Sequence, residues 1–154
     1  MAAIGPVAST LGGILFGERG SLITFRTVPM EFGVVVQAGV LEFGLNLLGV
    51  YGLAVVIDLL ARSVGAQSNR VQALKVAAYG STPYWLASAA ALFPRIEPIA
   101  MVLALYSVRL FASGLPPVMK VPREKTLAYT ALTSIAATLT ALLTAAIITL
   151  LFVT

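Results

Sequence analysis

The sequence predicts an all-α fold, a polytopic bundle of about five transmembrane helices, and three observations predict it. From Leu127 to Thr154 the chain carries no Asp, Glu, Lys or Arg, and about 20 apolar residues in a helix already cover a hydrocarbon core of ~30 Å at ~1.5 Å per residue. At least three other segments approach that length and apolarity. Composition agrees: 59% of the residues are hydrophobic and 10% charged, with a mean hydropathy of +0.98, which leaves too little polar surface to cover a water-soluble globule. The lipid bilayer is therefore the expected solvent and first partner. With 154 residues and no long polar insert, one domain is expected over residues 1–154.

Hydropathy and breakers place five spans at residues 2–17, 32–61, 73–93, 99–119 and 127–153. The first holds about 16 apolar residues, some 24 Å, short of a full crossing, so it either continues past Glu18 or thins the bilayer locally. Its start lacks the basic n-region of a secretory signal and reads as a retained span. Gly5, Ser9, Gly13 and Gly17 recur every fourth residue, which stacks them on one face. In lipid, helix association gains from close backbone approach, so this face is expected to pack inside the bundle rather than form a dimer seam. The second span, about 30 residues and some 45 Å, has to tilt, protrude, or break near Gly44, Gly49 or Gly52.

In the third span Pro83 cannot donate to the carbonyl of Tyr79, and its ring crowds that turn, so a kink is expected. Ser81 and Thr82 stand beside it to satisfy the freed carbonyl. Tyr79 suits the aromatic belt, and Trp85 falls too deep for a simple interfacial anchor. A tight Phe93 to Pro98 hairpin, FPRIEP, leads into the fourth span. The fifth carries two hydroxyl stripes, Thr133, Ala137, Thr140, Thr144 and Ser134, Thr138, Ala141, Ala145. Bonding of Thr to the carbonyl one turn back is preferred there over a pore lining.

Basic residues near span ends stay on the cytoplasmic side. Arg62, Arg70, Lys75, Lys120, Arg123 and Lys125 fall on one side of a five-span chain, and Arg19, Arg26 and Arg95 on the other. The N-terminus is accordingly expected in the cytoplasm and the C-terminus outside. The net charge of +4 is accounted for by this asymmetry and by anionic lipid. A nucleic-acid partner is not expected, because no basic patch is interleaved with aromatics as a stacking surface requires.

Ionisable residues inside spans are costly and call for a partner or a purpose. Measured from the outer helix ends at ~1.5 Å per residue, Glu42 lies about 12 Å and Arg109 about 16 Å deep. If the second and fourth spans are neighbours, the two can pair, with Asn46 one turn from Glu42 alongside. A structural ion pair is the plainer reading, and a proton or ion site lining a cavity the sharper one. Asp58 with Arg62 one turn on reads as a solvated interfacial contact.

No catalytic residue, cofactor or metal site is expected. The absence of Cys and His removes thiolate chemistry and the commonest neutral-pH base and metal ligand. The six carboxylates, Glu18, Glu31, Glu42, Asp58, Glu97 and Glu124, place no two inside the membrane together, as paired-carboxylate catalysis requires. No Gly-rich phosphate cradle is present. An enzyme is not the expected class.

The segments ALKVAAYGSTPYWLASAAALFP and LALYSVRLFASGLPPVMKVPREKTLAYT carry a family pattern. Tyr79-Gly80-Ser81-Thr82-Pro83, Pro94, Tyr106-Ser107, Gly114-Leu115-Pro116, Met119-Lys120 and Pro122-Arg123-Glu124-Lys125 together resemble the bacterial branch of the Yip family of integral membrane proteins. The match is specific from about Ala73 to Thr130. The resemblance implies five spans with a cytoplasmic N-terminus and placement in a bacterial inner membrane. Eukaryotic members bind Rab-type GTPases, but their long cytosolic N-terminal region and its Asp-Leu-Tyr-Gly-Pro motif are lacking from this sequence. No catalytic residue carries over.

Two function classes fit. The leading one is a non-enzymatic Yip-like membrane protein acting by helix packing, by homo-oligomerisation, or by docking partner proteins and lipids. Its docking surface is the cytoplasmic loop from Gly114 to Thr126, made stiff by proline and cationic by Lys120, Arg123 and Lys125. The alternative is a small oligomeric transporter or channel with Glu42, Asn46 and Arg109 around a polar cavity.

Overall fold

The computed structural model describes residues 2–16, 18–20, 27–29, 31–89 and 97–152. Six α-helices account for most of them: α1 (Ile4–Phe16), α2 (Phe32–Val64), α3 (Arg70–Gly80), α4 (Thr82–Ser88), α5 (Glu97–Met119) and α6 (Thr126–Phe152). A single 3₁₀ turn over Arg123–Lys125 leads into α6. Two helical stretches, Phe32–Val64 and Arg123–Phe152, are long and apolar enough to cross a membrane. Leu132, Ile135, Leu139, Leu142, Leu143 and Leu150 stand exposed along α6. A continuous apolar face of this kind is solvated by hydrocarbon, not by water.

Four places bear on the expected elements, the first two by taking one of the alternatives left open and the last two by departing from expectation. Helix α1 does not run past Glu18: strands β1 (Glu18–Gly20) and β2 (Thr27–Pro29) pair antiparallel, with Arg19 opposite Val28. Helix α2 continues without a break through Gly44, Gly49 and Gly52, giving some 50 Å of helix at ~1.5 Å per residue. The expected third span is two helices, α3 and α4, joined at Ser81. Helix α5 runs through Pro116 and Pro117 to Met119, so the segment beginning at Gly114 is helix and the connection starts only at Lys120. The hairpin around Arg95 and the last residues of the expected third span lie outside the described residues.

Both helices that finish at one end of the bundle finish alike. After α2, Gly65 adopts φ 72°, and the N–H of Ala66 donates to the carbonyl of Ala61 at 2.9 Å. After α5, Lys120 adopts φ 51°, and the N–H of Val121 donates to the carbonyl of Pro116 at 3.2 Å. These are left-handed helix stops that satisfy orphan carbonyls, natural for Gly65 and costing about 1 kcal/mol for a residue with a Cβ such as Lys120. The two turns are joined, since the N–H of Gln67 donates to the carbonyl of Met119 at 2.8 Å. Asn69 then caps α3, its side chain accepting from the N–H groups of Val71 and Gln72.

The core lies under this end. Leu53, Ile57 and Ala61 of α2, Ala73 and Ala77 of α3, Phe111, Leu115 and Met119 of α5, and Tyr129 of α6 form one buried cluster. Tyr129 is fully buried, and its hydroxyl donates to the carbonyl of Ile57 at 2.7 Å. Phe111 lies against Gly80, where any Cβ would enter the ring. At the other end α1 packs antiparallel on α2, with Gly13 against Val35 and Thr10 seated on Gly39. Further along α2, Gly49 receives Thr140 of α6.

Two substitutions separate these contributions. Tyr129→Phe keeps the ring and removes one interhelical hydrogen bond, so it should cost about 1 kcal/mol. Gly80→Ala forces Phe111 out of its seat and should cost about 1–3 kcal/mol through overpacking. Unfolding of the purified protein by SDS titration in mixed micelles measures both, and a larger loss for Tyr129→Phe would contradict this ranking.

Candidate functional site

The end where α2 and α5 finish and α3 and α6 begin gathers most of the described charge. Asp58 of α2 is only 3% exposed, which corrects its reading as a solvated contact. Its Oδ1 accepts from the hydroxyl of Ser68 at 2.8 Å, and that hydroxyl oxygen accepts from Nε of Arg62 at 3.3 Å. Arg62 Nη2 and Arg70 Nε stand 3.7 and 3.9 Å from Oδ2. A buried carboxylate persists only when its charge is matched and its lone pairs are used, and here two cations and one hydroxyl do both. Because the guanidinium side chains remain 63% and 77% exposed, they neutralise Asp58 while presenting positive charge outward.

Lys120, Arg123 and Lys125 are all exposed at the same end. Their backbone is held from three sides: by the Val121–Pro116 bond, by the Gln67–Met119 bond, and by the N–H of Lys125 donating to the carbonyl of Pro122 at 3.0 Å. The platform is thus a hydrogen-bonded backbone carrying exposed cationic side chains. Ser68 escaped the sequence reading, which gives Arg70 only as a cation of the connection and not as a partner of Asp58. The available signal was a carboxylate near a helix end followed, after Gly65, by a hydroxyl and a second Arg.

Glu42 lies elsewhere, towards α1. Its Oε2 accepts from the hydroxyl of Ser9 at 3.0 Å, and it is within electrostatic reach of Tyr84 on α4. Asn46 is buried one turn along α2. Arg109 is exposed on α5, and the structure does not join it to Glu42. The physical reason is adjacency: α2 packs on α1, α3 and α6, while α5 packs on α3, α4 and α6. Among the described residues, Glu42 meets Ser9 and no ion pair with Arg109 is formed.

Of the small-residue face of α1, Gly5 and Gly13 are buried and Ser9 is half-buried against α2; Gly17 lies outside the described residues. Pro83 is buried in the first turn of α4. The break falls just before it, at Ser81, and the Thr82 hydroxyl donates to the carbonyl of Ala78 at 3.1 Å rather than to that of Tyr79. Thr138, Thr140 and Thr144 donate to the carbonyls of Ser134, Ala136 and Thr140, one turn back. Trp85 is buried and Tyr79 exposed. Among the described residues no three acidic side chains converge as a metal ion requires.

Comparison with curated proteins gives no match, and comparison with solved structures gives none. The family model of the Yip1 domain matches residues 1–151, which accords with two helices of bilayer length and extends well beyond the motifs between Ala73 and Thr130. On a match over nearly its whole length, the chain belongs to the Yip1 family.

Proposed function

We propose that this protein is a non-enzymatic integral membrane protein of about five spans whose basic end faces the cytoplasm and docks anionic lipid or an acidic partner, with the bundle providing self-association. Family membership and the apolar exterior support the membrane placement. A single observation carries the docking: Lys120, Arg123 and Lys125 project from a backbone tied to the α2–α3 turn, beside the outward guanidinium groups of Arg62 and Arg70. A preorganised cationic surface loses little conformational freedom on binding. The bacterial inner membrane is the location that the family resemblance and the charge asymmetry together favour.

Each Lys or Arg near an anionic surface contributes about 1 kcal/mol. Combined reversal Lys120→Glu, Arg123→Glu and Lys125→Glu should therefore weaken docking of neutral-lipid proteoliposomes onto phosphatidylglycerol vesicles by about two orders of magnitude. Undiminished docking would sink the reading. The orientation has its own test, because the chain has no native Cys. Arg123→Cys in intact cells should resist a membrane-impermeant maleimide and react once the membrane is opened; labelling from outside would invert the topology.

Transport is retained as a second reading because Glu42, Ser9 and buried Asn46 place polar groups deep among apolar helices. On that reading Glu42→Gln changes ion or proton flux in liposomes, and flux equal to that of the parent protein rejects it.

A further inference from the structure

A groove of about 290 Å³ runs between α3 and α5 on the outside of the bundle. Lys75, Val76, Tyr79, Leu110, Gly114 and Val118 line it, with Gly80 and Ser113 completing its walls. The groove exists in part because position 114 is small: a Cβ at Gly114 would meet nothing within 4 Å, whereas the place of a Cβ at Gly80 is taken by Phe111. Its walls are apolar except at one place. Lys75 is exposed, and none of the lining residues is acidic.

Orientation of the side chains matters here. Helix α3 begins at the basic end, so Lys75 lies about 7 Å along it at ~1.5 Å per residue. Helical side chains lean towards the N-terminus of their helix, so the Lys75 stem points back to the basic end while its methylenes cover apolar wall. Tyr79, one turn deeper on the same face, is exposed and can turn its hydroxyl the same way. The groove is therefore apolar along its length and cationic at the end nearest water.

We infer that this groove seats one anionic phospholipid of the leaflet at the basic end, an acyl chain lying between α3 and α5 and the phosphate resting on Lys75. The inference depends on the membrane placement proposed above. Charge complementarity selects this occupant over a helix from a second copy. A helix laid along the groove would have to bring its own carboxylate to Lys75, since the groove wall has none, or leave that charge unpaired. A phospholipid brings the anion at the place where the cation stands, and its chain fills the volume beside Ser113 and Gly114.

Gly114→Leu extends an apolar side chain into the groove from a position whose Cβ has no protein atom within 4 Å, and replacing glycine within a helix favours the fold. Lys75→Gln removes the cation alone. Each variant is first shown to resist alkaline carbonate extraction and to unfold in SDS like the parent. The proteins are then reconstituted into nanodiscs of equimolar phosphatidylcholine and phosphatidylglycerol, and retained lipid is counted by native mass spectrometry. The parent should retain phosphatidylglycerol. Gly114→Leu should lose lipid of both kinds, and Lys75→Gln should keep lipid but with about fivefold lower preference for phosphatidylglycerol. The combined Lys120, Arg123 and Lys125 reversal should leave groove retention unchanged. Retention by Gly114→Leu equal to the parent overturns the inference while leaving the docking reading intact. Unchanged retention with a shift of Gly114→Leu to monomer also overturns it, by assigning the groove to a second copy. Extraction of the parent protein by carbonate overturns both readings together.

Discussion

Burial of the Asp58 carboxylate is the constraint around which the basic end is built. A charge that far from solvent must be matched by more than the rest of α2 supplies. Arg62 comes from the next turn, but Ser68 and Arg70 come from beyond Gly65, so the chain has to leave α2 in a left-handed turn and fold back over its own end. Once it does, Gln67 meets the end of α5, and the register between the α2–α3 and α5–α6 connections is set. The hydroxyl of Tyr129 adds a tie from α6 to the backbone of α2 next to Asp58. Four helix ends are fixed by one buried anion and a few hydrogen bonds.

Away from that end the bundle is held by steric fit. Thr10 on Gly39, Val35 against Gly13 and Phe111 over Gly80 are places where one helix has given up a side chain so that another can approach. Such contacts rely on dispersion, since apolar side chains gain little by leaving lipid for each other. The proline at 83 acts in the same direction. By ending α3 at Gly80, the chain brings the glycine to Phe111 and starts α4 on its own course beside α1 and α5. A tightly closed end and a glycine-fitted bundle thus rest on different forces.

Those two constructions place the functional surfaces. The closed end holds five cations outward while placing two of them beside the Asp58 carboxylate, so electrostatic display and internal packing share residues. The groove beside it opens at Gly114, next to the close contact of Phe111 on Gly80. The docking proposed for the platform and the lipid seating proposed for the groove both call for anionic headgroups, and both lie where α3 and α5 reach the basic end.

The sequence by itself determined the class of solvent, the helical character and the family, because these depend on composition, on apolar run length and on short motifs that are local. An uncharged stretch such as Leu127 to Phe152 has few alternatives to helix in hydrocarbon, where every backbone group must be satisfied internally. The hydroxyls of Thr138, Thr140 and Thr144 likewise find carbonyls of their own helix. Tertiary structure decided everything that depends on which helices are neighbours. Glu42 meets Ser9 and not Arg109 because α1 lies against α2 and α5 packs elsewhere. Asp58 is buried and not solvated because a loop ten residues later closes over it. Matching depth along two helices says that two charges are level; only the packing of the bundle says whether they face each other.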